Sequence, residues 1–315
     1  MVAYLTRRLG QGVLVIVLVT ILTFILINVA PGGPSSIMRM ESTAEQREAL
    51  TRQMGLDQPL PVRYGRWAQG VLHGDFGYSL AGGEAVGPLL KLRLVNTVQL
   101  ALTALTLAVI VGLPLGIWAA LRRNTWLDYL INGVSTMGMS LPSFWLGIMA
   151  IMVFSVSLNL LPASGMSEMG SGFSLVDRLR HLILPASVLA ITITPDLVRF
   201  TRSALLEVLG LDFMRTARAK GLSPRLVLLK HGMRNALIPV VAMLGLLLPA
   251  LLSGSVITES VFGWPGMGRL AVDAATNRDY PVVMAVTVVA GAIIIVTNLG
   301  VDLAYSLIDP RIRHD

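Results

Sequence analysis

Groups able to do acid–base, nucleophilic or metal chemistry are few in this sequence, and they are scattered. The 315 residues include four histidines (His73, His181, His231 and His314) and no cysteine. Without cysteine there is no disulfide, thiolate–metal site, iron–sulfur cluster or thiol nucleophile. The histidines are too dispersed to form a metal cluster by spacing. Neither H-E-x-x-H nor G-x-S-x-G occurs. Nor does G-x-x-x-x-G-K-[ST], so no loop of the usual kind cradles nucleotide phosphates. Asp196 and Asp302 border apolar stretches, but neither has the G-x-G-D setting of an intramembrane aspartyl protease. A carboxylate at mid-bilayer costs about 2.5–3.5 kcal/mol, and Asp196 has Arg199 three residues on, a same-face neighbour in a helix. Both aspartates therefore read as interface anchors rather than proton relays. The expectation is a chain that is not an enzyme, with no catalytic, cofactor-binding or metal-binding residue of its own.

The surrounding composition says where such a chain lives. It is 54% hydrophobic and 14% charged, against about 25% charged in soluble domains, and its mean hydropathy is +0.71. Two water-soluble cores could not be covered by so little polar surface, and disorder is excluded because disordered chains are poor in apolar residues. A spanning helix needs roughly 20 apolar residues. Stretches free of Asp, Glu, Lys and Arg run over Leu9–Ala30, Leu94–Leu121, Tyr129–Ser167, Asn235–Thr258 and Tyr280–Val301. A weaker one, Leu182–Pro195, has 14 residues and spans only if its helix continues past Asp196, Arg199 and Arg202. The expected fold is all-α, a polytopic membrane protein with six transmembrane helices. Arg7 and Arg8 before an apolar run resemble a signal peptide, but the run is too long and no A-x-A site follows. With both termini inside, short inner segments carry fourteen basic residues and short outer loops four. The positive-inside rule then predicts cytoplasmic termini. The net charge of +7 is thereby a topology signal rather than a nucleic-acid footprint.

Two long segments remain. Pro31–Arg93 is expected outside. It opens on the helix stop Pro31-Gly32-Gly33-Pro34, reads as a polar helix over residues 43–53, and has turn signals at residues 55–59 and 74–78. Its length and its Trp67, Phe76 and Tyr78 suit either a solvated connection or an ordered docking face. Val198–Arg234 is expected inside and holds eight bases against two acids, Glu207 and Asp212. Asp212 is placed as N-cap of a short helix through Phe213, Met214, Arg215, Thr216, Ala217, Arg218, Ala219 and Lys220. Gly221 is its left-handed stop. Ser223-Pro224 starts a second helix, a capping side chain followed by proline at the first position, running to about Asn235 and feeding the next span. Such a basic knob could hug anionic lipid. The small face of Ala217, Ala219 and Gly221 argues instead for insertion into a partner's groove.

Met214–Pro239 reads MRTARAKGLSPRLVLLKHGMRNALIP. It resembles the cytoplasmic EAA loop of bacterial ABC importer permeases, most closely the B-type subunit of the dipeptide/oligopeptide/nickel family. The motif's three-residue core falls on Arg215, Thr216 and Ala217, and its glycine on Gly221. The same family is matched by APGGP at Ala30–Pro34, MGLDQPLPVRYGRWAQGVLHGDFGYS at Met54–Ser79, LPSFWLG at Leu141–Gly147, LLPASG at Leu160–Gly165, RDYP at Arg278–Pro281 and DPRIR at Asp309–Arg313. Arg215 replaces the general glutamate, Gly33 a usual acid and Val95 a frequent proline.

The resemblance implies a type I ABC importer permease in the bacterial inner membrane, half of a peptide translocation pathway. It divides the chain into an N-terminal span with external segment (1–93), a permease core (94–306) and a cytoplasmic tail (307–315). It implies a homologous C-type permease subunit, two ABC ATPase subunits that bind ATP and Mg, an external solute-binding protein, and surrounding membrane lipid. Asp212–Gly221 would contain the helix that sits in an ATPase cleft and re-tilts the spans between inward-open and outward-open states. Pro114, Pro142 and Pro249 mark kinks that suit such motion. Modest polar groups within spans, namely Ser140, Ser143, Asn159, Ser253, Ser255 and Asn298, are the candidates to line the path. Dipeptide, oligopeptide, glutathione, haem and nickel importers share this pattern. The rival class is a self-sufficient carrier driven by an ion gradient, for which an internal repeat is expected and not evident.

Overall fold

A computed structural model describes residues 2–29, 57–168, 170 and 172–308. The expectations for Pro31–Pro34, for a helix at residues 43–53, for the turn at Gly55-Leu56 and for the tail beyond Ile308 lie outside the described residues. Apart from one isolated bridge between Tyr78 and Ala85, the regular elements among the described residues are helical. They are α1 (Val2–Val29), α2 (Leu60–Leu72), α3 (Val86–Leu121), α4 (Trp126–Ser140), α5 (Ser143–Ala150), α6 (Leu175–Leu209), α7 (Asp212–Ala219), α8 (Arg234–Val261), α9 (Met267–Thr276) and α10 (Tyr280–Ile308). Among the described residues five helical runs are long and apolar enough to cross a membrane, and a sixth crossing exists if one bent pair counts as a single span.

That bent pair is where the stretch Tyr129–Ser167 departs from a single span with a flanking loop. α4 and α5, with the π-helical continuation Ile151–Ser157, meet at 97°. The break lies at Leu141-Pro142. Proline disfavours a helical residue before it, and Leu141 is extended at φ −92°, ψ 131°. Of the three prolines singled out, Pro142 breaks the chain direction, whereas Pro114 and Pro249 lie inside α3 and α8.

Other boundaries also shift. α3 starts at Val86, not Leu94, because Pro88 falls in the first turn, where a missing N–H has no intrahelical partner to lose. Lys91 and Arg93 are thus helical rather than part of the segment before it. α6 extends the 14-residue apolar stretch in both directions to 35 residues, roughly 52 Å. Ser174 caps it by accepting from the Asp177 N–H at 3.3 Å. Arg178 and Arg180 stand in its first turns, not in a loop, and Arg199 and Arg202 in its last third. Asp196 and Arg199 pair at 2.6 Å on an exposed face, the anchor expected from their spacing.

The described residues divide into two compact units: one drawn from residues 2–29, 57–96 and 266–296, the other from residues 97–265 and 297–308. In the first, α3 and α9–α10 bury Val86, Leu90, Leu270, Val282 and Ala285 together. α1 packs through reciprocal glycine contacts. A Cβ at Gly12 would lie 2.7 Å from Ile295, and one at Gly291 2.9 Å from Ile16. Small residues let membrane helices approach this closely. Buried Asp279 clasps the loop before α3, accepting from the Ser79 hydroxyl, from Leu80 N at 3.1 Å and from Ala81 N at 3.3 Å.

In the second unit α3, α6, α8 and Trp264 share a core of Leu100, Ala104, Leu182, Leu189 and Leu251. Gly116 sets the α3–α6 approach: a Cβ there would meet the Val198 carbonyl and Thr201 Cβ, each at 2.8 Å. Gly116→Leu is expected to destabilise by about 1–3 kcal/mol through overpacking. Gly133→Leu, where a Cβ meets nothing within 4 Å, should be near neutral. Equal thermal midpoints for the two purified variants would refute this packing.

Candidate functional site

The basic segment singled out in the sequence folds as a knob seated on three helices of the second unit. α6 ends at Gly210, and α7 follows after Leu211. Leu211 is the N-cap and makes no side-chain cap bond; Asp212 is the first helical residue. The capping role assigned to Asp212 is therefore corrected. Its exposed carboxylate pairs instead with Arg215 at 3.4 Å. There it still complements the positive end of the helix dipole. Gly221 stops the helix at φ +77°, as expected of a left-handed residue. Ser223 accepts from the Leu226 N–H at 3.4 Å with Pro224 at the first helical position, also as expected. The helix begun there feeds the next span, again as expected. It passes from Pro224–Leu226 through a π-helical stretch, Val227–Met233, directly into α8.

Two residues on one face of α7 hold it in place. Met214 is 0% and Ala217 7% exposed, packed with Ala120 of α3, Leu205 and Val208 of α6, Val227 and Ala236. Burying a methionine side chain contributes about 1.5–3 kcal/mol, so α7 is anchored to its own chain along the i, i+3 stripe. This corrects the reading of Ala217, Ala219 and Gly221 as one presented small face. Ala217 faces inward, whereas Ala219 is exposed. The outward surface is Phe213, Arg215, Thr216, Arg218, Ala219 and Lys220, all exposed: one aromatic ring among three cations.

A buried ion pair ties the neighbouring elements. Asp128, 2% exposed, receives Arg202 Nε and Nη2, each at 2.7 Å, and also Asn124 N at 3.0 Å and Asn132 Nδ2 at 2.8 Å. Both carboxylate oxygens are satisfied in a bidentate fork. The pair fastens the start of α4 and the α3–α4 turn to α6, the helix that leads into the knob. The spacing rules that place Arg202 on a continuing helix do not reveal this pair, because the two partners lie 74 positions apart. Ala119, Ile131 and Val198 fill the space around it.

The polar candidates for a path are not drawn together by any hydrogen bond between them among the described residues. Ser140 and Ser143 flank the α4–α5 break, and the Ser140 hydroxyl donates to Thr136 O at 3.1 Å. Asn159 is exposed in a left-handed conformation, φ 53°. Asn298 is exposed on α10. The side chain of Ser253 lies outside the described residues. Ser255 is fully buried and donates to Glu259 Oε1 at 2.9 Å, which also accepts from Thr97 at 2.7 Å. Its hydroxyl bonds within the protein rather than facing a channel. Glu259, 0% exposed, escaped sequence reading because it directly follows the apolar run Asn235–Thr258 and looks like its solvated border.

Comparison with known proteins places this architecture. Residues 112–314 match the family of binding-protein-dependent transport system inner membrane components, and residues 1–101 match the family's N-terminal region. The chain belongs to this family of transport permeases. It is 42% identical to the oligopeptide transport system permease protein AppB of Bacillus subtilis (strain 168), covering 100% of both chains. It is 39% identical to the dipeptide transport system permease protein DppB of Escherichia coli (strain K12), over 100% of this chain and 99% of that one. Among solved structures it resembles a chain of the MetNI methionine ABC transporter in inward-facing form, with TM-score 0.57 at 19% identity over 70% of this permease and 96% of that chain. The type I importer fold expected from the EAA-like loop is thus the fold observed. Membership of a binding-protein-dependent family favours the permease over the ion-driven carrier.

Proposed function

We propose that this permease forms half of the pathway by which an ATP-driven importer carries peptides across the inner membrane, and that α7 is the element through which ATPase motion enters it. The observation that carries this reading is the two-sidedness of α7. Met214 and Ala217 lock it to the ends of α3, α6 and α8, while Phe213, Arg215, Arg218 and Lys220 are left exposed. A helix anchored on one face and cationic on the other suits transmission of a push better than lipid attraction, which needs no buried anchor. The likeness to oligopeptide and dipeptide permeases over the full length supports peptide as the cargo.

On this reading both termini and α7 are cytoplasmic, and residues 57–85 lie outside. ATP and Mg are bound by two partner ATPase subunits, a second, C-type permease completes the pathway, and an external binding protein delivers the peptide. The chain itself performs no catalysis. ATP closure of the ATPase pair would move α7, and the Asp128–Arg202 pair would carry the displacement from α6 to α4.

The assembled transporter, reconstituted with its binding protein, tests this. Arg218→Glu is expected to leave insertion and assembly intact while cutting peptide uptake per ATP hydrolysed by about tenfold, the scale of one charge-assisted contact. Coupling equal to the parent's, or uptake that runs on a proton gradient without ATP, would refute the proposal.

A further inference from the structure

The first unit holds a cleft that transport does not explain. The last turns of α1, the length of α2 and the start of α10 line an open cleft of about 520 Å³. α2 lies against the final third of α1: Thr20 and Tyr64 hydroxyls meet at 2.9 Å, and the Phe24 and Tyr64 rings stand edge-on with centroids 5.6 Å apart. α1 has 28 residues, about 42 Å of helix, more than the roughly 30 Å hydrocarbon core. Its final turns therefore reach headgroup depth. α2 also exposes Leu60, Val62 and Leu72.

Three side chains lining this cleft, Arg63, Arg66 and Trp67, carry donors without a hydrogen-bond acceptor among the described residues. Trp67 Nε1 is buried with no hydrogen-bond partner. Arg63 lies over the Phe24 ring at 5.7 Å, and burial holds its guanidinium below the ordinary arginine value. Among the described residues neither Arg63 nor Arg66 is paired with a carboxylate. One acceptor, Gln58 Oε1, is likewise buried and unpartnered. Asp75 also lines the space, its carboxylate accepting from Gly77 N at 2.9 Å. The remaining wall is apolar, with Phe24, Ile27 and Met284 among its members.

We propose that this corner is a phospholipid site, in which Arg63, Arg66 and the Trp67 indole N–H receive the phosphate diester. The acyl portion covers Phe24, Ile27 and Met284. Gln58 Oε1 accepts from a hydroxyl or ammonium of the headgroup, which selects glycerol or ethanolamine over choline. A small soluble anion would satisfy the donors but leave the apolar wall uncovered. The inference does not depend on the cargo, on the sidedness of the membrane or on α7.

Native mass spectrometry of the full transporter, released from nanodiscs of phosphatidylglycerol, phosphatidylethanolamine or phosphatidylcholine, reads it directly. The expected result is a retained phosphatidylglycerol or phosphatidylethanolamine that survives delipidation, with phosphatidylcholine retained less. Retention should fall at least about tenfold in Arg63→Ala/Arg66→Ala, the loss of charge-assisted bonds. Trp67→Phe keeps the ring packing and removes only the N–H; it should fall about threefold, the loss of a single bond, with assembly unchanged. Retention equal to the parent's in both variants would overturn the site. So would equal displacement of the lipid by soluble glycerophosphate or peptide, which would identify a small-anion pocket instead.

Discussion

Gly221→Pro is expected to abolish ATP-driven uptake while the chain still inserts and assembles. Gly221 ends α7 at φ +77°, and its N–H donates to Arg218 O at 3.0 Å. Proline is locked near φ −65° and has no N–H, a conflict of about 3 kcal/mol or more. That shifts α7 out of its seated geometry by roughly a hundredfold in population. Gly221 is not part of the buried cluster of Met214, Ala217 and Leu205, so the membrane helices should still fold. Gly221→Ala is the informative control. A Cβ there meets nothing within 4 Å, so alanine carries only the left-handed backbone penalty of about 1–2 kcal/mol and should retain partial uptake. Uptake and hydrolysis in proteoliposomes, measured together, check both. Full coupling in the proline variant would remove α7 from the transmission path.

The second large effect belongs to the ion pair. Arg202→Met leaves Asp128 charged and 2% exposed without its fork. Breaking a buried pair from one side costs about 3–5 kcal/mol. The Arg202 side chain is 26% exposed, so the lower end of that range applies. Asp128→Asn combined with Arg202→Met removes the stranded charge, and most of the lost stability should return. The measurement is the thermal midpoint of the reconstituted assembly, with uptake alongside. If the single and double variants unfold at the same temperature, the pair is not the fastener described here.

The helices of this permease were legible because bilayer chemistry leaves few options. Every stretch read as apolar became part of a long helix or of the bent pair. Where reading stopped short, a local rule gave way to a neighbour. The Leu182–Pro195 stretch looks marginal by itself because Arg180 and Asp196 bound it. The helix nevertheless continues through both, and Arg202 finds Asp128 across 74 positions. Asp212 looked like a cap because its type favours one, yet Leu211 takes that place. Ser255, a path candidate by type, donates to Glu259 within its own helix.

Residue order and hydropathy by themselves determined the membrane class, the number of apolar runs, the start signal at Ser223-Pro224 and the stop at Gly221. Each follows from a property carried within a few neighbouring residues. Only the folded chain decided which face of α7 is anchored, which carboxylates are buried, and where Arg63, Arg66 and Trp67 share one apolar corner. Those outcomes depend on pairs far apart in sequence, and no local pattern records which distant side chain will meet a buried charge.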